Sequence, residues 1–468
     1  MKKLEEEPTP MNSRRFAALI FVMLPLVISA CGGLKIGATE IRWFCCLGGG
    51  DAEEQVTIEK AVVDRFNASH PDIDLKFEFQ PYDSAFDIFA TEVRSGNPPD
   101  VVGPLGIGGG NAFPGLWLNL TDLIASHNYD LTQFPENAVD VYQAGDEGQL
   151  GIPFAIYPSA LFYKKSLFEE AGLNEPPHTY GDPYVMPDGS SVEWNYDTVR
   201  EIAMLLTVDE NGKDATQAGF DPDNIVQWGF EPQRDDLRQT GADWGAGTLV
   251  ADDGKTAQIP DAWAASWHWF YDAIWEDHFS MTGPQFESED FNPSDYPFFT
   301  GNVAMSENYL WSTYGVADAG DDWDLAAIPS YNGQTTAAFN ADTFRITKDS
   351  KNHEEAWTVL TYLLDDARED LLKTYGGMPA RPGEQAAFFE TLSEGFPQEI
   401  DWQVAIDGIQ FADVPNFESP TPGHSYNKAF DKLNEFSSKW QASAGLDLDQ
   451  EIADLRDALQ AIFDEESE

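Results

Sequence analysis

Residues 73–79 read IDLKFEF, and the apolar side chains Ile73, Leu75, Phe77 and Phe79 alternate with polar ones. An alternation with a period of two predicts a β-strand that buries one face. The segments on either side have a different period, so they indicate how this strand is covered.

Helices and two further strands are predicted around this strand. Within 51–67, apolar residues fall four positions apart, the spacing of one helix face. A second helix is predicted over 84–95, before the glycine and prolines of 96–99. Strands at 40–44 and 100–102 complete a β-α-β-α-β order, which predicts an α/β fold with a parallel sheet covered by helices.

Two glycine-rich loops, 43–50 and 103–110, follow the first and the third of these strands. Ligands of parallel sheets bind beyond the carboxyl ends of the strands, and glycine lets the backbone approach a ligand closely. Neither loop contains a lysine or has phosphate-loop spacing, so no nucleotide site is predicted.

The composition restricts the class of partner. The chain has 468 residues, which predicts more than one domain, and its 81 acidic against 27 basic residues give a formal charge of −54. A surface this acidic repels phosphate backbones, so we expect no nucleic-acid partner. The histidines are scattered without HxxH or HExxH groups, so we expect no metal and no cofactor.

The N-terminus has the pattern of an export signal. Arg14 and Arg15 precede the apolar run 16–30, and small residues lead to Cys31. This order resembles a bacterial lipobox, in which the cysteine is acylated. We therefore expect a signal peptide over 1–30 and a lipid anchor and linker over 31–39, with either Met1 or Met11 as the start of translation.

Two adjacent cysteines, Cys45 and Cys46, lie in the first glycine-rich loop. With only Cys31 besides, the chain has no disulfide framework. One hypothesis is a vicinal disulfide that stiffens this loop and presents a polarizable surface to a ligand, since the outside of the cell is oxidising. The alternative is two free thiols.

Five motifs give the chain a resemblance to a known family. In chain order they are 98–102 (PPDVV), 151–173 (GIPFAIYPSALFYKKSLFEEAGL), 299–311 (FTGNVAMSENYLW), 344–357 (FRITKDSKNHEEAW) and 376–381 (GGMPAR). Together they resemble the extracellular solute-binding proteins of the maltose-binding type, family 1. The sequence departs from that pattern at Cys45–Cys46, at Asn302, where lysine is common, and at Asn340–Ala341, where a glycine pair is frequent.

The resemblance implies a two-lobed periplasmic-binding-protein-like fold with a hinge and a ligand cleft between the lobes. Lobe one is expected over 40–153 with 306–347, and lobe two over 154–305 with 348–468. The chain would cross between the lobes near Ile152, Met305 and Ile346.

The resemblance also implies a function. The protein would not be an enzyme but the solute-binding component of an ABC importer, anchored to the membrane at the cell surface or in the periplasm. It would capture a neutral sugar or oligosaccharide as a monomer and deliver it to the transmembrane permease subunits.

A sugar offers C–H faces that pack on aromatic rings and hydroxyls that bind amides and charged groups. On motif position, strand ends and flanking small residues, the candidate ligand-binding residues are Trp43, Gln80, Tyr82, Tyr157, Trp244, Asn308, Trp311, Asn340 and Arg381.

Other functions stay open. The same fold could bind a polyamine, a peptide or another small solute, and the negative field would favour a cation. A secreted glycoside hydrolase would need two carboxylates on either side of the scissile bond. A sensor subunit that binds sugar and docks to a receptor would have the same sequence pattern.

Overall fold

A computed structural model describes residues 37–144, 147–234, 236–288, 297–300, 302–313 and 322–467. The predicted signal peptide and Cys31 lie outside these ranges. Within them, none of the helices is both long enough and apolar enough to cross a bilayer.

The described residues form many short elements. The strands are β1 Thr39–Cys45, β2 Ile73–Phe79, β3 Val101–Gly106, β4 Gln143–Ala144, β5 Gly148–Gln149, β6 Ala155–Pro158, β7 Ala160–Lys164, β8 Tyr184–Val185, β9 Ser191–Val192, β10 Val208–Asp209, β11 Ile225–Phe230, β12 Val303–Asn308, β13 Trp323–Ala326, β14 Phe339–Ile346 and β15 Met378–Pro379. The helices are α1 Glu53–Ser69, α2 Tyr82–Arg94, α3 Ile107–Asn111, α4 Thr121–His127, α5 Glu136–Asp140, α6 Lys165–Glu170, α7 Tyr196–Leu206, α8 Leu237–Ala242, α9 Asp261–Trp275, α10 Gly283–Phe286, α11 His353–Leu364, α12 Arg368–Tyr375, α13 Pro382–Ser393, α14 Gln403–Gly408, α15 Tyr426–Ala442 and α16 Leu448–Ser467.

The first sheet has six strands in the order β15-β6-β14-β3-β1-β2. Strand β1 runs parallel to both β2 and β3, with Trp43 opposite Phe77 on one side and Val101 on the other. Helix α1 buries Val62 and Phe66, two of the residues spaced for its apolar face. The predicted β-α-β-α-β unit and the α/β class are therefore confirmed.

The second sheet has five strands in the order β10-β11-β12-β7-β13. Strand β7 lies between β12 and β13 and is antiparallel to both. Aromatic residues of α9, among them Trp263 and Trp267, are buried in the core.

The chain passes from the first sheet to the second at Ser159, the one residue between β6 and β7. It returns between β13 and β14. Met305 lies inside β12 of the second sheet, so the crossing expected near it lies farther along the chain. Sheet membership thus differs from the expected lobe boundaries, because 155–158 join the first sheet and 306–308 join the second.

Candidate functional site

A buried carboxyl ties together the places where the chain changes sheet. Asp243, directly after α8, accepts hydrogen bonds on Oδ1 from the Ser159 hydroxyl at 2.5 Å and from the Ala338 N–H at 2.7 Å. Burial raises the pKa of Asp243 to about 7, although both hydrogen bonds oppose this rise. The crossing is therefore held by a group that changes charge near neutral pH.

Three aromatic rings lie beside this crossing. Trp311, after β12, stacks on Tyr309 with ring centroids 4.3 Å apart, and its ring is tilted against Tyr157 at 5.1 Å. The Trp311 indole N–H donates to Gln233 Oε1 at 3.1 Å. Trp311 is only partly buried, whereas both tyrosines are buried, so its indole keeps surface that a ligand can contact.

A second aromatic group forms around Trp244, which follows Asp243. Its ring stacks on Tyr196 at 4.2 Å and lies 4.5 Å from Tyr331. The Tyr196 hydroxyl donates to Glu307 Oε1 at 2.6 Å. The two aromatic groups are thus joined through β12, which carries Glu307 and leads to Trp311.

Several polar atoms of this region have no partner among the described residues, although they are buried. They are Glu307 Oε2, the Tyr309 hydroxyl, Trp244 Nε1 and Asn340 Nδ2. Burial of a polar group without a hydrogen bond costs on the order of 1–3 kcal/mol. The site therefore holds hydrogen-bonding capacity that a polar ligand could use.

Burial favours the neutral forms of the site's carboxyls, two of them fully enclosed and Asp342 only partly buried. Burial raises the pKa of Glu307, and the nearby Asp243 carboxylate raises it further. Burial also raises the pKa of Asp342 to about 7, with the Glu418 charge adding to the effect. The Tyr157 hydroxyl contacts Asp342 Oδ2 at 3.4 Å. Carboxyls therefore lie beside the aromatic rings of the candidate site.

A groove of about 590 Å³ opens beyond the carboxyl end of β3. Its Asp413 accepts hydrogen bonds from the Phe339 N–H at 2.8 Å and from the Asn416 amide, which connects the groove to β14. The groove is lined by Ile107, Asn111, Glu136, Asn137, Asp140, Val141, Gln143, Asp413, Val414, Pro415, Asn416, Ser419 and Pro420. The amides and carboxyls among these residues suit a ligand that carries hydroxyls, and the apolar ones suit its C–H surface.

Four of the residues expected from sequence lie in or beside the two aromatic groups. Tyr157 and Trp311 are in ring contact, and Asn340 lies opposite Tyr157 in the β14–β6 register. Trp244 belongs to the second aromatic group, joined to the first through β12. These positions fit a role in binding, which stays a prediction.

Three other expected residues have partners within the protein. Trp43 is fully buried, and its indole N–H donates to the Gly103 carbonyl at 2.7 Å. Asn308 uses its side-chain oxygen within its own turn, where it accepts from the Tyr309 N–H. Each guanidinium nitrogen of Arg381 already donates within the protein. The acceptors are Gln133, Tyr129, Asp365 and the Leu364 carbonyl.

The remaining expected residues lie near the first loop. Gln80 is partly buried, and its N–H donates to the Cys45 carbonyl at 3.0 Å. Tyr82 begins α2, and its side chain lies outside the described residues. Cys45 and Cys46 are joined in a disulfide. Together with Glu59 they bring three donor atoms of metal-ligand type within 4.8 Å, but both sulfurs are bonded to each other.

Sequence reasoning missed Asp243, Glu307, Tyr309, Gln233 and Asp342. A signal existed for Glu307, because neighbouring side chains of a strand point to opposite faces and Asn308 was chosen instead. Asp243 had a weaker signal as the residue before Trp244. Nothing in the sequence marked Gln233.

Comparison with known proteins places these observations in a family context. The family model described as bacterial extracellular solute-binding protein matches residues 49–369. A putative binding protein of Brucella abortus is 23% identical over 333 residues, which cover 68% of this chain and 71% of the relative.

Solved structures share the fold at low sequence identity. An ABC substrate-binding protein of Listeria monocytogenes in complex with cycloalternan has a TM-score of 0.70 at 18% identity, covering 91% of this chain and 98% of that one. The sugar-binding protein MalE of Xanthomonas citri has a TM-score of 0.68 at 15% identity, with the same coverage. The fold is thus the two-lobed α/β fold of periplasmic binding proteins.

Proposed function

Because the chain belongs to the family of bacterial extracellular solute-binding proteins, we propose that it captures a neutral sugar or oligosaccharide for an ABC importer and catalyses no reaction. The ligand lies between the lobes, beside the crossing at Ser159, and the lobes close on it by a hinge. The protein then delivers the solute to the permease from the outer side of the membrane, where it is held as a monomer through a lipid on Cys31.

The observation that supports a sugar is the pairing of an accessible indole with unpartnered polar atoms. Trp311 offers a ring for the C–H face of a sugar, and Tyr157 and Tyr309 hold that ring in place. Glu307 Oε2 and Asn340 Nδ2 have no hydrogen-bond partner in the part of the chain that the structure describes, and they complement sugar hydroxyls. Among the solved structures of this fold is a maltodextrin-binding MalE domain of Bdellovibrio bacteriovorus bound to maltotriose.

The test is a thermal-shift screen of the chain carrying Cys31→Ser against mono- and oligosaccharides, polyamines and amino acids. A ligand at 100 times its dissociation constant should stabilise the protein by roughly 2.7 kcal/mol. In Trp311→Ala we expect an affinity loss of about 30-fold, or about 2 kcal/mol, because the stacking surface is removed.

The matched control is Trp275→Ala, since Trp275 is also partly buried but donates to the Trp440 carbonyl, away from the proposed site. It should bind like the wild type. A saccharide that binds both variants equally would contradict the assignment of Trp311. Release of shorter sugars from a bound oligosaccharide would favour the hydrolase alternative.

The carboxyls of the site favour a second candidate, a cationic solute such as a polyamine. Asp243, Glu307 and Asp342 would have to ionise to pair with a cation, and burial raises the pKa of each. Affinity for a cation should therefore increase as pH rises through about 7, where Asp243 and Asp342 ionise, whereas neutral carboxyls that donate to sugar hydroxyls predict the opposite. A polyamine hit with rising affinity would replace the sugar proposal.

The lipid anchor is tested separately. Cells supplied with a clickable fatty acid should label the wild-type chain and leave Cys31→Ser unlabelled, because the Cys31 thiol is the acyl acceptor. Equal labelling of both proteins would refute acylation at Cys31.

A further inference from the structure

The cysteine pair lies in an enclosed part of the molecule. Cys45 ends β1, Cys46 follows it within the first glycine-rich loop, and both residues are fully buried. Both sulfurs lie against Gly50, where a Cβ atom would stand only 3.1 Å from each of them. The disulfide therefore has close neighbours on the side of its own loop.

A buried carboxyl covers the disulfide. Glu59 of α1 has its Oε1 3.3 Å from Cys45 Sγ, and the same oxygen accepts from the Tyr375 hydroxyl at 2.6 Å. The other oxygen, Oε2, has no hydrogen-bond partner among the described residues. Burial raises the pKa of Glu59 to about 7. The sulfur pair, Glu59 and Tyr375 thus form one continuous contact from β1 to α12.

This contact reaches the aromatic part of the candidate site. Tyr375 ends α12 and lies edge-on to Phe154, the residue before β6. Two residues later, Gly377 packs on Tyr157, where an added Cβ would meet the Tyr157 hydroxyl at 2.6 Å. Tyr157 in turn contacts Trp311. The disulfide is therefore connected by a continuous series of packed residues to Trp311, the ring proposed to bind the ligand.

We propose that the Cys45–Cys46 disulfide is a redox-sensitive positioning element of the binding site, which keeps loop 45–50 and α12 in the arrangement that binds ligand. The proposal rests on the proposed function for its ligand but makes a separate claim about the scaffold. Glu59 and Tyr375 connect the disulfide to the site, and none of these groups needs to touch the ligand.

The chemistry is a thiol–disulfide exchange with an added small dithiol. A thiolate of the dithiol attacks one sulfur, the Cys45–Cys46 bond breaks and a mixed disulfide forms. The second thiol of the reagent then displaces the protein sulfur and closes a reagent disulfide. The protein gains two electrons and two protons and is left with two thiols.

Reduction changes how the two cysteine side chains pack against their neighbours. The two sulfurs are no longer bonded and must move apart, but Gly50 and Glu59 leave little space. The thiol of Cys45 can donate to Glu59 Oε1, which already accepts from Tyr375. We therefore expect loop 45–50 to shift and the contact to α12 to loosen.

Two measurements on the Cys31→Ser chain test the proposal, each with oxidised, dithiol-reduced and reoxidised protein. The first is hydrogen exchange by mass spectrometry, which needs no ligand. Reduction should raise exchange in loop 45–50 and also in 154–158 and 371–379, and reoxidation should restore it. A change confined to loop 45–50, or no change, would overturn the positioning role.

The second measurement is affinity for the saccharides of the thermal-shift panel, maltotriose included. Reduction should weaken binding about tenfold, equal to about 1.4 kcal/mol, the scale of ordering one backbone residue. A change below about twofold in a saccharide that binds the oxidised form would overturn the proposal. If no panel member binds the oxidised form, the proposed function fails, and hydrogen exchange alone decides the inference.

The matched control is Cys45→Ser/Cys46→Ser, which keeps two small polar side chains but cannot form the disulfide. It should behave like reduced wild type and show no response to dithiol. A dithiol response in this variant would assign the effect to something other than the pair. If the variant does not fold, the reversible reduction of the wild type still decides.

Discussion

Asp342 offers a direct test of how strongly the site perturbs its carboxyls. It lies on β14, is partly buried and contacts the Tyr157 hydroxyl. Its pKa is raised to about 7, first by burial and then by the charge of Glu418. The perturbation is Asp342→Asn, which keeps the shape and an acceptor for Tyr157 but cannot ionise.

The direction in which pH changes the free energy of unfolding follows from comparing the pKa of Asp342 in the folded and unfolded chains. The Asp342 carboxyl is protonated in the folded chain up to about pH 7, whereas in the unfolded chain it ionises near its ordinary pKa of 3.8. Its effect on stability therefore becomes more unfavourable as pH rises from about 4 to about 7. At about 1.4 kcal/mol per pH unit, the part of this change between pH 5 and pH 8 is about 3 kcal/mol.

The assay is urea unfolding followed by tryptophan fluorescence at pH 5 and pH 8. The stability of Asp342→Asn relative to wild type should increase by about 3 kcal/mol between these two conditions. Comparing the two conditions removes any pH-independent effect of the substitution. A relative stability that stays constant within about 0.5 kcal/mol would refute the reasoning about burial.

The matched control is Asp253→Asn on an exposed loop. Hydrogen bonds from Thr256 and from the Lys255 backbone lower the pKa of Asp253 to about 2. The carboxyl is then ionised in both the folded and the unfolded chain from pH 5 to pH 8. Its relative stability should not change over this range.

Two substitutions test packing away from the ligand. Gly229→Ala places a Cβ 1.9 Å from the Ala203 carbonyl oxygen, and urea unfolding should show a loss of about 1–3 kcal/mol. Its control, Gly383→Ala, has open space and should lose nothing, so equal losses would contradict the steric reason. In Arg381→Lys, the single ammonium group cannot replace the guanidinium N–H groups that donate to both Gln133 and Asp365. The variant should lose about 2 kcal/mol of unfolding free energy. Unchanged ligand affinity in this variant would support a scaffold role, and a selective affinity loss would return Arg381 to the site.

The sequence predicted those elements that depend on local periodicity. Strand β2 has the bounds read from its alternation, and α1 lies within two residues of its expected limits. Both patterns are local, since a strand alternates over two residues and a helix repeats over 3.6. Tyr157 and Trp311 were each chosen from their positions in motifs. The contact between their rings had no local signal in the sequence, because the two residues are far apart in the chain.

Where the structure gives an expected site residue other partners, those partners are distant in the chain. Trp43 was expected in the cleft from its place at the end of β1, but Phe77 and Phe344 pack around its ring and Gly103 accepts its N–H. Arg381 likewise finds its partners in other segments, at the C-terminal end of α11 (Leu364 and Asp365) and between α4 and α5 (Tyr129 and Gln133). A strand-end position says which edge of the sheet a residue occupies, but neighbouring strands decide whether its side chain is covered.

The carboxyls of the site were missed for a further physical reason. In a chain with 81 acidic residues, the sequence alone predicts that any one of them is exposed. Only the contacts of the folded chain show which of them are buried. Asp243 is 84 residues from Ser159, and Glu307 is 111 residues from Tyr196. Whether a polar atom has a hydrogen-bond partner depends on its surroundings in the folded chain. Glu307 Oε2 and the Tyr309 hydroxyl could therefore be identified only from the structure as atoms without a partner among the residues it describes. The same property connects them to function, because an arrangement that leaves buried polar atoms without partners is stabilised most by the ligand that supplies them.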